Sequence, residues 1–378
     1  MSPINYDSCL LKHYVRNHGW LPLCQERLAI VRQAQSDRNQ RRIYYFTFCA
    51  IGAVDVLMLD IARIVTRSAS GRFDNVVYFD RTVEDVEKTQ KAIPGAVGYP
   101  ADFFSTVLLD NCEEYDAGGA SDPLESIADR EDTAGTRRTQ QLKALRRSYI
   151  GQFPFDILNF DLEEFFFKPN DPIPGKIVKA LCQIFEWQKK LGKDRQGKAR
   201  TIDSFSLMFT TQVGPSNLTA DYLDQLEGCL RSNIDGNQSL REAFLARVGH
   251  DDVGGLRSNN FELFFKLGMP KVLAAILEET DWMVDSDKGI TVYEFSRPSS
   301  NGPYKMLHLM MQVKRQPPHL PGSITGSVNE AHANVIKKLF QEEHVLVTEA
   351  LIETVRPVLQ MSLANVLARR QKYLTAEY

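Results

Sequence analysis

Ile43-Tyr-Tyr-Phe-Thr-Phe-Cys49 is the stretch that decides the fold, because it is short, rich in β-branched and aromatic residues, and apolar on both faces. These properties are typical of a central strand in a parallel sheet. Ala50-Ile-Gly52-Ala follows as a turn, and Val54 to Val65 has apolar residues at helical spacing. Residues 43–65 are therefore predicted to form a strand, a tight turn and a helix.

The same unit recurs along the chain. Asn75 to Asp80 is a second strand, and Thr82 to Lys91 is a helix with Thr82 as its N-cap and acidic residues in its first turn. Later segments of strand character are Ala96–Tyr99, Phe155–Asp161, Ser204–Thr211, Trp282–Ser296 and Tyr304–Lys314. The last two flank the turn Ser299–Gly302, so we expect them to be antiparallel neighbours.

This alternation predicts an α/β fold: a doubly wound, mostly parallel seven-stranded sheet with a terminal antiparallel strand pair. We expect an N-terminal helical arm over residues 1–40, the sheet domain over 41–316 with a helical insertion at about 215–255, and a C-terminal helical module over 317–378. Three breaks are expected: a bend or hairpin at Ser286–Gly289, and interruptions of helices at Gly268 with Pro270 and at Pro357. The segment 113–138 is expected to be a loop.

Composition narrows the class of protein. The apolar fraction of 43% is enough for an ordinary core, and the net charge of −3 argues against steering of nucleic acid by the protein as a whole. The chain starts without a signal-type apolar run and has no apolar stretch long enough for a membrane span, so we expect a cytoplasmic protein. The cysteines and histidines show no metal-ligand spacing, so no metal is expected.

Polar residues occur where predicted strands end. Asp80 closes the second strand, Asp102 follows the third, and Asn159 and Asp161 end the fourth. The carboxyl ends of parallel strands form the crevice in which open α/β sheets bind ligands. These residues, with Gly52 in the first turn, are therefore the candidates for a site.

The order of elements over about residues 40–316, together with these positions, resembles the class I S-adenosylmethionine-dependent methyltransferases. In that family the last strand inserts antiparallel beside the fifth. The resemblance implies S-adenosylmethionine as cofactor, with the turn at Gly52 below its methionine part. Only one glycine is present in this turn, and the acid that the family carries within the first strand is absent, although Asp55 lies just beyond it.

The resemblance also assigns roles to the later positions. Asp80 would accept hydrogen bonds from both ribose hydroxyls, which suits a carboxylate. Asp102 would lie beside the adenine amino group, with Phe103 or Phe104 stacked on the ring. Asn159 and Asp161 would orient a target amine as the catalytic residues, although the prolines of the usual motif are missing.

Several alternatives stay open at this stage. DNA or RNA is the first expected substrate, bound through the basic loop 189–200. A second hypothesis is a catalytically inactive scaffold of the same fold, with the C-terminal helices at 328–375 as a surface for a protein partner or for self-association. A third, a dinucleotide-dependent oxidoreductase, is disfavoured by the missing Gly-x-Gly-x-x-Gly motif.

Overall fold

The computed structural model describes most of the chain. The described residues are 9–33, 42–48, 52–109, 133–162, 175–193, 199–214, 219–249, 252–295, 304–316, 347 and 349–375. Four parts of the predicted organisation lie outside these residues: 317–346 in the C-terminal module, the turn Ser299–Gly302, most of the segment 113–138, and 194–198 in the centre of the basic loop.

A seven-stranded sheet forms the centre of the fold, with the strand order β3-β2-β1-β4-β7-β9-β8. Its strands are β1 (Tyr45–Thr47), β2 (Val76–Asp80), β3 (Val97–Pro100), β4 (Ile157–Asp161), β7 (Ser204–Val213), β8 (Trp282–Phe295) and β9 (Tyr304–Arg315). The first five are parallel, and β9 lies antiparallel between β7 and β8. A separate antiparallel pair is formed by β5 (Gly192–Lys193) and β6 (Ala199–Arg200). The predicted mostly parallel sheet with its antiparallel pair is confirmed.

Helices cover both faces of the sheet, as strands that are apolar on both sides require. On one face lie α1 (Leu10–Val15), α2 (Leu21–Gln33), α3 (Val54–Ile61), α4 (Val83–Ala92) and α12 (Glu349–Thr375). On the other lie α5 (Phe103–Val107), α6 (Thr133–Ile150), α7 (Lys176–Gln188), α8 (Ala220–Gly236), α9 (Gln238–Val248), α10 (Val253–Asn259) and α11 (Phe261–Glu278). The α1 and α2 helices are joined by a π-helical turn over Arg16–Trp20.

The two predicted helix breaks are wrong. The α11 helix runs through Gly268 and Pro270, and α12 runs through Pro357. Burial explains the first case: Gly268 lies so close to α8 that an added Cβ would come within 2.4 Å of Leu226 Cδ1. Packing of this helix against its neighbours outweighs the intrinsic cost of the two breakers.

Two further boundaries differ from expectation, and the bend expected at Ser286–Gly289 is present. The β8 strand is not a hairpin; its bend consists of register shifts between Val284 and Ser286 and between Asp287 and Gly289. Such bulges insert extra residues without ending a strand. The α3 helix ends at Ile61 instead of the predicted Val65, and a connecting loop leads from it to β2. The α6 helix begins at Thr133, inside the segment that was expected to be a loop.

One property of the helices bears on the membrane. Within the described ranges, no helix combines the length and the apolar character that crossing a bilayer would need.

Candidate ligand site at the carboxyl edge of the sheet

The strand register brings two of the predicted residues, Asp80 and Asp161, to the same level of the sheet. Thr47 of β1 is paired with Tyr78 of β2 and with Asn159 of β4. Asp80 and Asp161 each lie two residues beyond these partners, so they flank the end of β1 at equal height, two strand spacings or roughly 10 Å apart. Side chains two residues apart in a strand share a face, so both lie on the face of Thr47.

The first turn leads into α3 through an unusual backbone conformation. Gly52 is buried in the turn, and Ala53, the residue before the helix, has a positive φ of 48°. A left-handed conformation is rare for a residue with a Cβ and is a feature of strained turns near functional sites. Since α3 begins shortly after β1 ends, the N-terminus of α3 lies at the carboxyl edge of the sheet.

Asp55 and Asn159 are joined in a buried hydrogen-bond network. The Tyr45 and Thr47 hydroxyls donate to Asp55 Oδ2 at 2.9 and 2.8 Å. The Asn159 amide nitrogen donates to the same two hydroxyl oxygens at 2.9 and 3.2 Å. Each hydroxyl donates its one proton to the Asp55 carboxylate and accepts a hydrogen bond from the Asn159 amide. Both predicted residues therefore point into the protein in this state.

Asp80 is half-buried and stands at the edge. Its Oδ1 accepts a hydrogen bond from the Arg81 backbone N–H at 2.7 Å. Burial raises the pKa of Asp80 above its ordinary value, although the hydrogen bond from the Arg81 backbone N–H acts to lower it. The N-cap of α4 is Thr82, whose hydroxyl accepts from the Asp85 N–H. Because Thr82 caps this helix, Asp80 is not its N-cap.

Asp102 and Phe103 are placed together at the end of β3, but with different exposure. Asp102 is exposed and caps α5, with Oδ1 accepting from the Ser105 N–H at 2.7 Å. The Phe103 ring is buried against Phe46 and Phe48, with ring centroids 5.5 and 4.8 Å apart. Stacking of an adenine on Phe103 would require the ring to move, so this role stays a prediction.

Asp161 is bound to a residue that the sequence analysis did not single out. Its Oδ2 lies 2.5 Å from the Lys12 ammonium, and the two side chains are only 8% and 9% exposed. Burial acts to raise the pKa of Asp161, but the Lys12 charge and its hydrogen bond, with Arg16 behind them, hold the pKa below its ordinary value. Asp161 is therefore a carboxylate, and its Oδ1 has no hydrogen-bond partner among the described residues.

A polar row crosses the sheet beside this ion pair. Asp161, Thr210 and His308 are directly opposite one another on β4, β7 and β9. The Thr210 hydroxyl is 2.8 Å from His308 Nδ1, and the Trp20 indole N–H, which can only donate, points at the same nitrogen at 3.4 Å. Nδ1 is therefore the acceptor, and Nε2 carries the proton of the neutral ring. Burial, with a smaller effect from Lys12, lowers the pKa of His308 to about 3.

The N-terminal arm closes over this row at the π turn. Arg16 is buried, with its guanidinium over the Trp20 ring at 5.7 Å. Gly19 approaches β9 so closely that an added Cβ would lie 3.0 Å from Met310 Sδ. Single π turns occur preferentially at functional sites. Together Lys12, Arg16, Asp161, Thr210 and His308 form a set that we call the Lys12 layer.

Apart from Asp161, sequence reasoning missed this layer because its members come from four distant segments. Two weak signals were present. Lys12 and Arg16 are four residues apart and thus lie on one face of a helix, and His308 is a lone polar residue in the apolar stretch Met306–Met311.

The predicted basic loop lies at the opposite edge of the sheet. It joins the end of α7 to the start of β7, whereas the candidate site lies where the parallel strands end. Its described basic residues contact the protein itself: Lys189 bridges Glu186 and Asp281, and Arg200 stacks over Tyr44 at 3.4 Å. The described ends of this loop, 189–193 and 199–200, are therefore not next to Asp80 or Asp161.

Among the described residues, no group of three or more His, Cys, Asp or Glu side chains could hold a metal ion. In comparisons with known proteins, no family model matches the chain and no curated protein matches it.

Proposed function

We propose that this protein is methyltransferase-like and binds S-adenosylmethionine at the carboxyl edge of β1, β2 and β3. The observation that carries the proposal is the placement of Asp80 at the end of β2, half-buried and not used as a helix cap. The strand order, with β9 inserted antiparallel between β7 and β8, supports it. An acid at this position of a doubly wound sheet is suited to two ribose hydroxyls.

The other residues at this edge would contact different parts of the ligand. The turn at Gly52 and the N-terminus of α3 offer backbone N–H groups for the carboxylate of the methionine part. Asp102 would lie towards the adenine, where its second carboxylate oxygen can accept from the amino group. Bound this way, the ligand would cross the end of β1 between Asp80 and Asp161.

Transfer of a methyl group needs a correctly placed acceptor more than it needs strong acid–base chemistry. In the proposal Asn159 and Asp161 orient the acceptor amine. Both are engaged in internal contacts here, so the acceptor side opens only when Lys12 leaves Asp161. DNA or RNA binding by loop 189–200 is a separate hypothesis, because that loop is at the other edge.

The second candidate function is a non-catalytic scaffold of the same fold. The buried contacts of Asn159 and Asp161 favour it, because they fill the place where an acceptor would bind. In this alternative the C-terminal helix α12 provides a surface for a partner or for self-association. Val358 and Met361, three residues apart on α12, are each 63% exposed.

Calorimetric titration with S-adenosylmethionine and S-adenosylhomocysteine separates the two candidates. We expect the full-length protein to bind both, and Asp80→Ala to weaken binding at least tenfold. Asp221→Ala, which removes an exposed carboxylate from the first turn of α8, is the matched control and should bind as the unchanged protein does. Absence of binding to a folded sample would contradict the cofactor site and favour the scaffold.

A further inference from the structure

A buried ammonium–carboxylate contact connects the N-terminal arm to the end of β4. Lys12 Nζ lies 2.5 Å from Asp161 Oδ2, and both side chains are almost fully removed from solvent. Taking two charges out of water is costly, and their attraction offsets that cost only if the pair has good geometry and further hydrogen-bond partners. A contact of this kind is not needed for helix packing alone, since apolar residues would serve.

The carboxylate side of this contact has unused capacity. Asp161 Oδ1 and Asn159 Oδ1 are both buried without a hydrogen-bond partner in the described part of the chain. The two residues are separated by one position on β4, so their side chains lie on the same face. An ammonium group has three donors, and Lys12 Nζ contacts Asp161 Oδ2. Lys12 leaves the other two oxygens unpaired, so an ammonium group placed between Asp161 and Asn159 would gain hydrogen bonds that Lys12 does not make.

We propose that Asp161 and Asn159 form a binding site for an alkylammonium group, which Lys12 occupies in part, through Asp161, within the same chain. The acceptor would then be a primary alkylamine of the lysine side-chain type rather than a nucleobase amine. The charge of Asp161 gives the reason: a buried carboxylate gains most from a partner of full positive charge, and nucleobase amino groups are uncharged. The choice of acceptor class rests on the proposed function; the ammonium site does not.

The arm contains features that lower the cost of withdrawing Lys12. In the closed state Arg16 Nε and Nη1 and His308 Nε2 are buried without hydrogen-bond partners among the described residues. Leaving a buried polar group unpaired is unfavourable, so exposing these groups to water would offset part of the cost of opening the arm.

Chemical rescue tests the ammonium site without any enzymatic activity. Lys12→Ala removes the ammonium and leaves Asp161 unpaired, and n-butylammonium is then added in increasing concentration while the melting temperature is followed. We expect a saturable rise of roughly 2 °C at ten times the dissociation constant. The double variant Lys12→Ala with Asp161→Asn should show no such rise, and n-butanol should stabilise neither variant.

Equal stabilisation by n-butanol, an equal rise in the double variant, or no rise in Lys12→Ala would each overturn the proposal. If Lys12→Ala does not stay folded, its refolding yield from urea with and without n-butylammonium gives the same comparison. A yield that the amine increases in the single variant alone supports the site, and a yield that it leaves unchanged counts against it.

The acceptor class is tested by offering S-adenosylmethionine with either a lysine-containing peptide or single-stranded DNA and RNA, using Lys12→Ala to free the site. In the expected reaction the ammonium loses a proton to solvent. Its nitrogen then forms the bond to the methyl carbon while the carbon–sulfur bond breaks, releasing S-adenosylhomocysteine. Methylation of DNA or RNA alone would overturn the acceptor class. Amine rescue with no cofactor binding would leave the ammonium site standing and contradict the proposed function.

Discussion

Lys12 and Asp161 form a buried ion pair, 2.5 Å between Nζ and Oδ2, that ties the N-terminal arm to the carboxyl end of a central strand. This contact determines two properties at once. It holds the arm on the sheet, and it occupies the carboxylate that the proposed function needs for an acceptor. The stability and the ligand binding of the protein should therefore be coupled through it.

Breaking this ion pair on one side should be more damaging than removing it altogether. Lys12→Ala leaves a buried carboxylate without its cation, which typically costs about 3–5 kcal/mol in the free energy of unfolding. Adding Asp161→Asn should recover part of that loss. Urea unfolding followed by circular dichroism measures both variants. Lys88→Ala, which breaks an exposed pair with Glu84, is the control and should change little. A double variant less stable than Lys12→Ala would contradict the expectation.

The free energy of unfolding should decrease as the pH is lowered, because His13 and His308 are buried as neutral side chains. Burial lowers the pKa of His308 from 6.5 to about 3, and burial together with Arg16 lowers that of His13 from 6.5 to about 4. Below pH 6.5 the unfolded chain takes up protons that the native protein does not. The free energy of unfolding should therefore drop as the pH falls from 6.5 towards 3, by up to about 1.4 kcal/mol per pH unit for each histidine.

Replacing either histidine checks this sign. His308→Gln and His13→Gln should each make the decline shallower in urea titrations between pH 6.5 and pH 4, where both histidines are expected to contribute. The lowered pKa of Asp161 adds a loss at still lower pH, because its stabilisation disappears as the carboxylate is protonated. A decline as steep in both variants as in the unchanged protein would mean that other groups cause it.

Ligand affinity should depend on the ionisation of Asp80. Only the carboxylate accepts hydrogen bonds on both oxygens, and burial raises the pKa of this group. Affinity for S-adenosylhomocysteine should therefore increase as the pH rises through that raised pKa and then become constant. Calorimetry in a series of buffers measures it. Asp80→Asn should bind more weakly and lose this dependence; an unchanged pH dependence in Asp80→Asn would rule out Asp80 as its origin.

Two glycine substitutions in helices should have opposite effects. In α8, an added Cβ at Gly228 meets nothing within 4 Å, so Gly228→Ala should stabilise by about 0.5–1 kcal/mol through its better helix propensity. In α11, Gly268→Ala would collide with Leu226 and should destabilise. Thermal unfolding distinguishes the two, and a stabilising Gly268→Ala would show that the two helices can separate easily.

The local pattern of the sequence predicted the elements and their order. Residues 43–49 are apolar on both faces and β-branched or aromatic, which indicates a central strand whatever the rest of the chain does. Polar residues after such strands, Asp80 and Asp161 among them, must lie at the carboxyl edge because parallel strands all end there. Helix breakers misled the prediction at Pro270, because burial on all sides of α11 outweighs the local cost.

The sequence by itself therefore determined the α/β class, the antiparallel strand pair and which polar residues reach the edge, since these follow from periodicity and strand direction. Only the tertiary structure decided that Lys12 meets Asp161, that Thr210 meets His308, and that Asn159 is turned inward to Tyr45. Such contacts join segments far apart in the chain. They depend on how the arm packs on the sheet and how the register aligns the strands, which no local pattern encodes.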